Sequence, residues 1–498
     1  MERMILALDQ GTTSTRAIVF DLNWRPRALS QVPLEQHFPK PGWVEHDAEE
    51  IWRASLSVGR AAIAQAGGPE RIAAIGLTNQ RETAVVWERA TGRPIHRAIV
   101  WQDRRTADLC ARLAQSGRAA EVKQLSGLEL DPYFSASKIA WILDHVEGAR
   151  GRAQRGELCA GTIDSWLMFK LSGGAHVTDV TNASRTSLFD LQKLDWSDAL
   201  IDLFGVPARL LPEVRPCAGL FAEAVAEHFG AAVPITGVAG DQQASLVGHG
   251  ALQAGAAKIT YGTGAFLMAN VGDHPAWSER RLLGTVGYQA QGRTAWALEG
   301  SIFSAGSAVQ WLRDGLQLFE TSADSEALAL SLKDNDGVYL VPAFTGLGAP
   351  WWAPHARGGV LGLTRDSRPA HFARAALEAL GYQTHDLLQA LAADGAPPAA
   401  VLKADGGVTA NGFAMQFLAD ITGVPVERPA FQELTALGAA RLAAIGAGLI
   451  DTLEIAPTDP PTRWEPQMTS ATRKTLLDGW ARAVASVLSL ARRPEAGA

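Results

Sequence analysis

The chain has 498 residues, 47% of them hydrophobic and 19% charged, with a formal net charge of -7. A chain of that size buries large cores without a disulfide or metal staple, and it has room for roughly two to four domains. The mildly acidic balance lacks the basic footprint that nucleic-acid binding needs. Cys110, Cys159 and Cys217 are too few and too far apart for a disulfide framework or a zinc site.

The N-terminus reads as an apolar strand, MILAL, a polar turn, DQGTTST, and a second strand, RAIVFDL. Its apolar run stops at Asp9, too soon for a signal peptide, and sparse cysteine fits a reducing compartment, so a cytoplasmic setting is expected. DAEEIWRASLSVGRAAIAQA has helical periodicity, with Asp47 as the expected N-cap and Gly67 as the stop. RIAAIGLTNQ, TAVVWE and RAIVWQ read as strands, and ASKIAWILDHV as a helix. Halfway along, AKITY, GTG and AFLMANV repeat the strand, Gly turn and strand of the N-terminus. VYLVPAF follows as a strand and RPAHFARAALEALGYQTHDLLQAL as a long helix with Pro369 near its start. AVLKADGGVTANGFAMQFLADIT is strand, Gly turn and helix. The small-residue stretch 434–450 carries Arg441 near its middle and is short of the ~20 apolar residues that span a bilayer, so a buried helix is expected there. The alternation argues for α/β layers. The repeated opening unit argues for a duplicated architecture with its boundary near residue 250, giving domains 1–250 and 251–498.

Three glycine turns and two polar segments could carry chemistry. In Asp9-Gln10-Gly11-Thr12-Thr13-Ser14-Thr15-Arg16, Gly11 permits a tight turn, and hydroxyls and N–H groups can cradle phosphate oxygens. Asp9 would repel that phosphate unless a cation intervened, which implies Mg²⁺, while Arg16 can offset charge on a transferring group. The turn lacks the GK[ST] ending of a Walker A loop, and on its own it reads first as a polar hairpin. Tyr261-Gly262-Thr263-Gly264 repeats the chemistry without the carboxylate, and a phosphate chain needs donors from both sides. In Ala404 to Gly412, the glycines let a ring or sugar approach the backbone, and Asn411 could cap the next helix or bind a base, the cap being the simpler role. Asp241, after VPITGVA, is a candidate general base for an alcohol, and a turn or N-cap role fits it equally well. Asn79-Gln80-Arg81-Glu82-Thr83 sets a forked donor beside an anionic acceptor, which a polyol needs, although a surface ion pair would look the same. Trp101, Tyr133 and Phe266 adjoin these segments but read first as core.

Taken together these motifs resemble the FGGY carbohydrate-kinase family over nearly the whole chain. Two patterns carry the family, YFSASKIAWILDH at 133–145, with Lys138 and Trp141, and GGVLGLTRDSRPAHFARAALE at 358–378. PKPGWVEHD, GLTNQRET, AIVWQDRRT and AGDQQAS resemble the forms specific for glycerol. The resemblance implies two ribonuclease-H-like (actin-like) α/β domains, each with a five-stranded mixed sheet, flanking a cleft. It implies MgATP as phosphoryl donor and in-line transfer. Arg81, Glu82, Tyr133, Asp241 and Gln242 would contact glycerol, with Trp101 and Phe266 on its carbon side and Asp241 as base. Asp9, with Asp241, would hold Mg²⁺. Thr12, Thr13, Ser14, Thr263, Gly306, Gln310, Gly407 and Asn411 would bind the nucleotide, and Arg16 would lie near its γ-phosphate. A homodimer or homotetramer is implied by the resemblance alone.

The departures concern regulation. Ala232 stands where the fructose 1,6-bisphosphate loop of some members has its Arg, so no such inhibition is expected. In Glu227-His228-Phe229-Gly230 the His is one place later than in the phosphorylated HFFG-type loop, which leaves phosphocarrier activation without its usual acceptor. WEPQMTSAT replaces the PGIE-like segment, so the contact with the glucose-transport regulator is expected to be absent.

Overall fold

A computed structural model of the chain describes residues 3–454 and 459–491. Two mixed sheets organise it. The first contains β1 (Met4–Gln10), β2 (Ser14–Asp21), β3 (Pro26–Pro33), β4 (Ile72–Asn79), β5 (Ala218–Ala224) and β6 (Val233–Gly240), in the order β5-β6-β4-β1-β2-β3. β1, β4 and β6 run parallel, and β2, β3 and β5 are antiparallel to their neighbours. The central strands are apolar on both faces because helices cover both sides.

The second sheet contains β7 (Ala257–Tyr261), β8 (Ala265–Gly272), β9 (Leu283–Ala290), β10 (Arg293–Ile302), β11 (Leu402–Asp405), β12 (Val426–Arg428) and β13 (Thr462–Trp464). Its order is β9-β10-β8-β7-β11-β12-β13. The run β10-β8-β7-β11-β12 repeats β3-β2-β1-β4-β6: an antiparallel hairpin on one flank, and two further parallel strands on the other. The expected five-stranded core is present twice. Antiparallel edge strands extend it, β5 on the first sheet and β9 and β13 on the second.

Most expected elements are found. Helix α1 (Ala48–Gln65) is capped by Asp47, whose carboxylate accepts the Glu49 N–H at 2.9 Å, and its chain leaves through Gly67 at positive φ. Helix α2 (Ser135–His145) precedes α3 (Ile163–Ser172), and α4 (Asp241–Gly248) follows β6 directly. Helix α5 (Pro369–Ala393) begins on its proline, whose missing N–H costs nothing at that position. Helices α6 (Gly412–Thr422), α7 (Leu434–Gly446) and α8 (Ser470–Ala491) complete the framework. RAIVWQ is the clearest departure, keeping strand geometry only at Ala98–Ile99 before it turns at Trp101. Among the described residues no helix is long and apolar enough to cross a membrane.

Helix α7 is buried, as the small-residue pattern predicts, but it packs on β1, β4 and β6 of the first sheet and against α4. The second half of the chain therefore contributes a layer to the first sheet. The α4–α7 contact is close enough that a Cβ on Gly438 would sit 1.8 Å from the Ala244 carbonyl oxygen, and one on Gly248 2.0 Å from that of Leu434.

Candidate functional site

Strands β1, β4 and β6 are parallel, so their C-terminal ends lie side by side, carrying Asp9, the Asn79–Thr83 segment and Asp241. The turn after β1 is set by Gly11 N–H donating to Ser14 O at 2.9 Å. Gln80 ties it to the next strand end, donating to Gln10 Oε1 at 3.0 Å and Gly11 O at 3.2 Å. Thr12, Thr13 and Ser14 are half-buried or exposed on this turn, and Thr12 Oγ1 accepts from Trp101 Nε1 at 2.9 Å. Burial pushes the Asp9 carboxyl up to about 6, Arg16 opposing and the nearby Asp241 adding to the rise. The Arg16 guanidinium pairs with Glu433 at the head of α7 and donates to Gln31.

The NQRET segment divides in role. Asn79 exchanges hydrogen bonds with Asn182, and Gln80 and Thr83 brace one another, so these three hold the loop. Arg81 and Glu82 are fully buried in an ion cluster with two residues that sequence reading missed, Arg185 and Glu299. Both Arg81 Nη atoms donate to the Glu299 carboxylate, Nη2 at 3.1 Å. Arg185 bridges the two acids, from Nε to Glu82 at 2.7 Å and from Nη2 to Glu299 at 2.9 Å. Burial would raise Glu299, but Arg185 and Arg81 outweigh it and hold the carboxyl below its usual range. Burial raises Glu82 despite the same two cations. Glu82 also sits at φ +60°, a costly conformation for a residue with a side chain, held in part by Ser135 Oγ donating to its carbonyl at 3.0 Å. The only local sign of Glu299 is a lone charge in the apolar strand TAWALEGSI.

Asp241 stands at the edge of this cluster and is about one-third exposed, at 31%. Its Oδ1 lies 3.1 Å from Arg81 Nε and accepts the Gln242 N–H at 2.7 Å, while Oδ2 takes no hydrogen bond from the described residues. The Gln242 carboxamide oxygen is engaged by Lys258 Nζ, on β7. Burial lowers Lys258 to about 8, with Asp405 and Asp241 opposing. Trp101, Tyr133 and Phe266 come together as expected. The Trp101 ring is 5.6 Å from Tyr133 and 6.1 Å from Phe266, both edge-to-face, and Phe266 also lies under Arg81. Lys138 explains its place in the 133–145 pattern: its ammonium donates to the carbonyls of Pro132, Tyr133 and Phe134 and so fixes the turn that carries Tyr133.

On the second sheet, Thr263 is exposed on the β7–β8 turn, and its carbonyl accepts from Ala305 and Ser307. Gly306 opens a short helix, Gly306–Gln310, and donates to Gly262 O at 3.0 Å, while Gln310 is exposed at its end. At the β11 turn the steric demand falls on Gly406, at φ +92°, where a Cβ would lie 2.2 Å from Tyr261 O. A Cβ on Gly407 would face open space. Asn411 is the N-cap of α6, accepting the Ala414 N–H at 2.9 Å, the simpler of its two expected roles.

Fold and site together define a two-domain α/β protein with matched sheets, whose site takes its parts from both: Arg81, Glu82 and Asp241 from the first, Phe266 and Glu299 from the second. The chain belongs to the FGGY family of carbohydrate kinases, whose N-terminal domain model matches residues 4–248 and whose C-terminal domain model matches 257–447. It is 56% identical over 485 residues to a glycerol kinase of Rhodospirillum centenum, covering 96% of this chain and 97% of that one. It is 53% identical over 490 residues to a glycerol kinase of Cereibacter sphaeroides, covering 98% and 99%. Among solved structures it resembles Plasmodium falciparum glycerol kinase with ADP, at a TM-score of 0.92 and 34% identity over 98% of each chain. It shares the fold of a gluconate kinase from Lactobacillus acidophilus, at a TM-score of 0.89 and 22% identity over 99% of each chain.

Proposed function

We propose that this chain transfers the γ-phosphoryl group of ATP to a terminal hydroxyl of glycerol, giving sn-glycerol 3-phosphate. The observation that carries the reading is the buried Arg81–Glu82 pair, with Asp241 at its edge and Trp101, Tyr133 and Phe266 alongside. Fixed donors and acceptors of that kind suit hydroxyl groups, and the aromatic rings suit a short carbon chain. Relatives over 50% identical are named glycerol kinases, which favours this polyol over a ketose or sugar acid. A non-catalytic actin-like ATPase would need the phosphate turns but no buried polyol cluster.

In this reading Asp241 is the base. Oδ1 is held by Arg81 and Gln242, and Oδ2 takes the hydroxyl proton as the oxygen attacks phosphorus. The Thr12–Ser14 and Thr263 turns cradle the phosphates from opposite sides, the glycines at 306 and 407 and Asn411 line the nucleotide, and Gln310 lies at its edge. Arg16 leaves Glu433 to meet the γ-phosphate. Asp9, buried and with the Asp241 carboxylate adding to the rise that burial imposes on it, offers with Asp241 a set of carboxylate oxygens that fits Mg²⁺. When bound, that ion would neutralise charge on the β- and γ-phosphates. Residues 1–250 would then carry the phosphate turn, the base and most of the glycerol cluster, completed by Phe266 and Glu299 from residues 251–498, which bind the nucleotide; residues 1–2, 455–458 and 492–498 lie outside the described range. We also propose that fructose 1,6-bisphosphate does not inhibit. The His228 ring lies against Trp52, with its Nε2 3.0 Å from Lys170 O, which favours a packing role over phosphorylation.

The test is coupled ADP release with MgATP and a panel of glycerol, dihydroxyacetone, xylulose, gluconate and ribulose, with wild type beside Asp241→Asn. Glycerol should be preferred, and the Asn variant should bind both substrates while turnover falls about 10²- to 10⁴-fold. Preference for a sugar would overturn the assignment of Arg81 and Glu82. ATP binding without any phosphorylation would revive the ATPase alternative.

A further inference from the structure

Behind the α4–α7 contact lies a cavity of about 500 Å³, within the range of small-molecule sites. It is separate from the polyol cluster. The C-terminal end of α4, from Gly248 to Gly250, forms one wall, and Leu434, Leu437 and Arg441 of α7 form another. Trp24 and Phe431 supply aromatic surface.

Arg441 is the unexplained group. It is 4% exposed, its guanidinium lies 5.5 Å from the Trp24 ring, and among the described residues no carboxylate lies within ion-pair distance. Its Nη1 donates to the carbonyls of Val247, at 3.4 Å, and Gly248, at 3.1 Å, which gives it the partial charge of a helix end and no full counter-charge. Its Nε has no hydrogen-bond partner, and burial pulls the guanidinium down to about 10. A buried cation without its anion is costly. Lys403 also lines the cavity, donating to His249 O at 2.7 Å. Three acids line it too. Glu427 is held by Arg463 at 2.6 Å, Glu454 accepts from Gln253 at 2.5 Å, and Glu454 and Asp459 are exposed to solvent.

We propose that this cavity is a second ligand site, for a small molecule with an aromatic or apolar body and an anionic head, such as a carboxylate, sulfonate or phosphate, set against Arg441. Two elements run from it to the site at the strand ends. Helix α4 has the cavity at its C-terminal end and Asp241 at its first residue, about 12 Å away for eight residues. Strand β11 lines the cavity with Lys403, and two residues on Asp405 lies 3.2 Å from His249 Nε2, next to the Gly406–Gly407 turn. Occupancy would therefore bias the relation of the two sheets through α4 and β11.

The probe is 1-anilinonaphthalene-8-sulfonate, compared with its uncharged counterpart N-phenyl-1-naphthylamine, titrated by fluorescence into the full chain. The expected result is one sulfonate probe per chain, undisplaced by saturating ADP or glycerol, with the uncharged compound at least tenfold weaker. Arg441→Met should erase that difference. Hydrogen exchange on the wild type keeps the test decisive if that variant does not fold, since the sulfonate should protect 248–253 and 429–441. Equal affinity for the two probes, displacement by ADP, no binding, or protection only elsewhere would overturn the proposal.

Discussion

Four charges are buried where Arg81, Glu82, Arg185 and Glu299 meet, and their balance decides whether the site holds its shape. Arg81 and Arg185 face Glu82 and Glu299, with Asp241 at the edge as a fifth charge. Removing one member of such a cluster leaves its partner uncompensated, at a typical cost of about 3–5 kcal/mol. Glu299→Gln should therefore lower unfolding free energy in urea by a few kcal/mol. Because Arg81 and Arg185 would lose their common anchor, it should also raise the KM for glycerol more than that for ATP. Equal changes in both constants would mean that Glu299 only supports the fold. Arg81 and Glu82 were legible in the sequence as an adjacent donor and acceptor. Arg185 and Glu299 were not, because their sequence neighbours carry no motif and their roles come from partners 103 to 218 residues away.

At the scale of elements, the α4–α7 contact depends on backbones that meet without side chains between them. Gly438 faces the Ala244 carbonyl and Gly248 faces that of Leu434, so an added methyl has no free volume. Overpacking a tight contact costs about 1–3 kcal/mol. Gly438→Ala should lose at least that much stability by denaturant titration. It should also lower activity, because α4 begins at Asp241 and any shift of the helix moves the proposed base. Retained stability with retained kcat would show that the two helices can separate freely. The small residues of 434–450 pointed to a buried helix, found over Leu434–Gly446, but such a pattern does not say which sheet it covers. The long helix starting at Pro369 was legible because its signals are local.

At the scale of the whole molecule, His46 and His176 make folding depend on pH. His46 is lowered to about 4 by burial, with the charge of His37 adding, and His176 to about 4 by burial against a hydrogen bond to Ala160 O. In the unfolded chain both would titrate near 6.5. Between pH 6.5 and 4 these two histidines thus bind more protons in the unfolded state than in the folded one, while Asp9 and Asp164, raised by burial to about 6 and about 7, do the reverse. The contribution of each histidine should be complete above about 6.5 and be lost on acidification by up to ~1.4 kcal/mol per pH unit, levelling off below about 4. Urea midpoints of wild type and His176→Gln measured from pH 7 to 4 check this, and the variant should lose less stability on acidification than wild type.

The sequence by itself determined the opening hairpin and its repeat halfway along, the Asp47 cap, the Pro369 helix start and the candidate roles of Asp9, Arg81 and Asp241. These depend on neighbours within a few residues, where periodicity and turn chemistry act. Only the tertiary structure decided that Arg185 and Glu299 complete the polar floor, that α7 covers the first sheet, and that Arg441 is buried without a counter-charge. Those outcomes arise where strands and helices distant in sequence converge, and no local pattern encodes the partner they find.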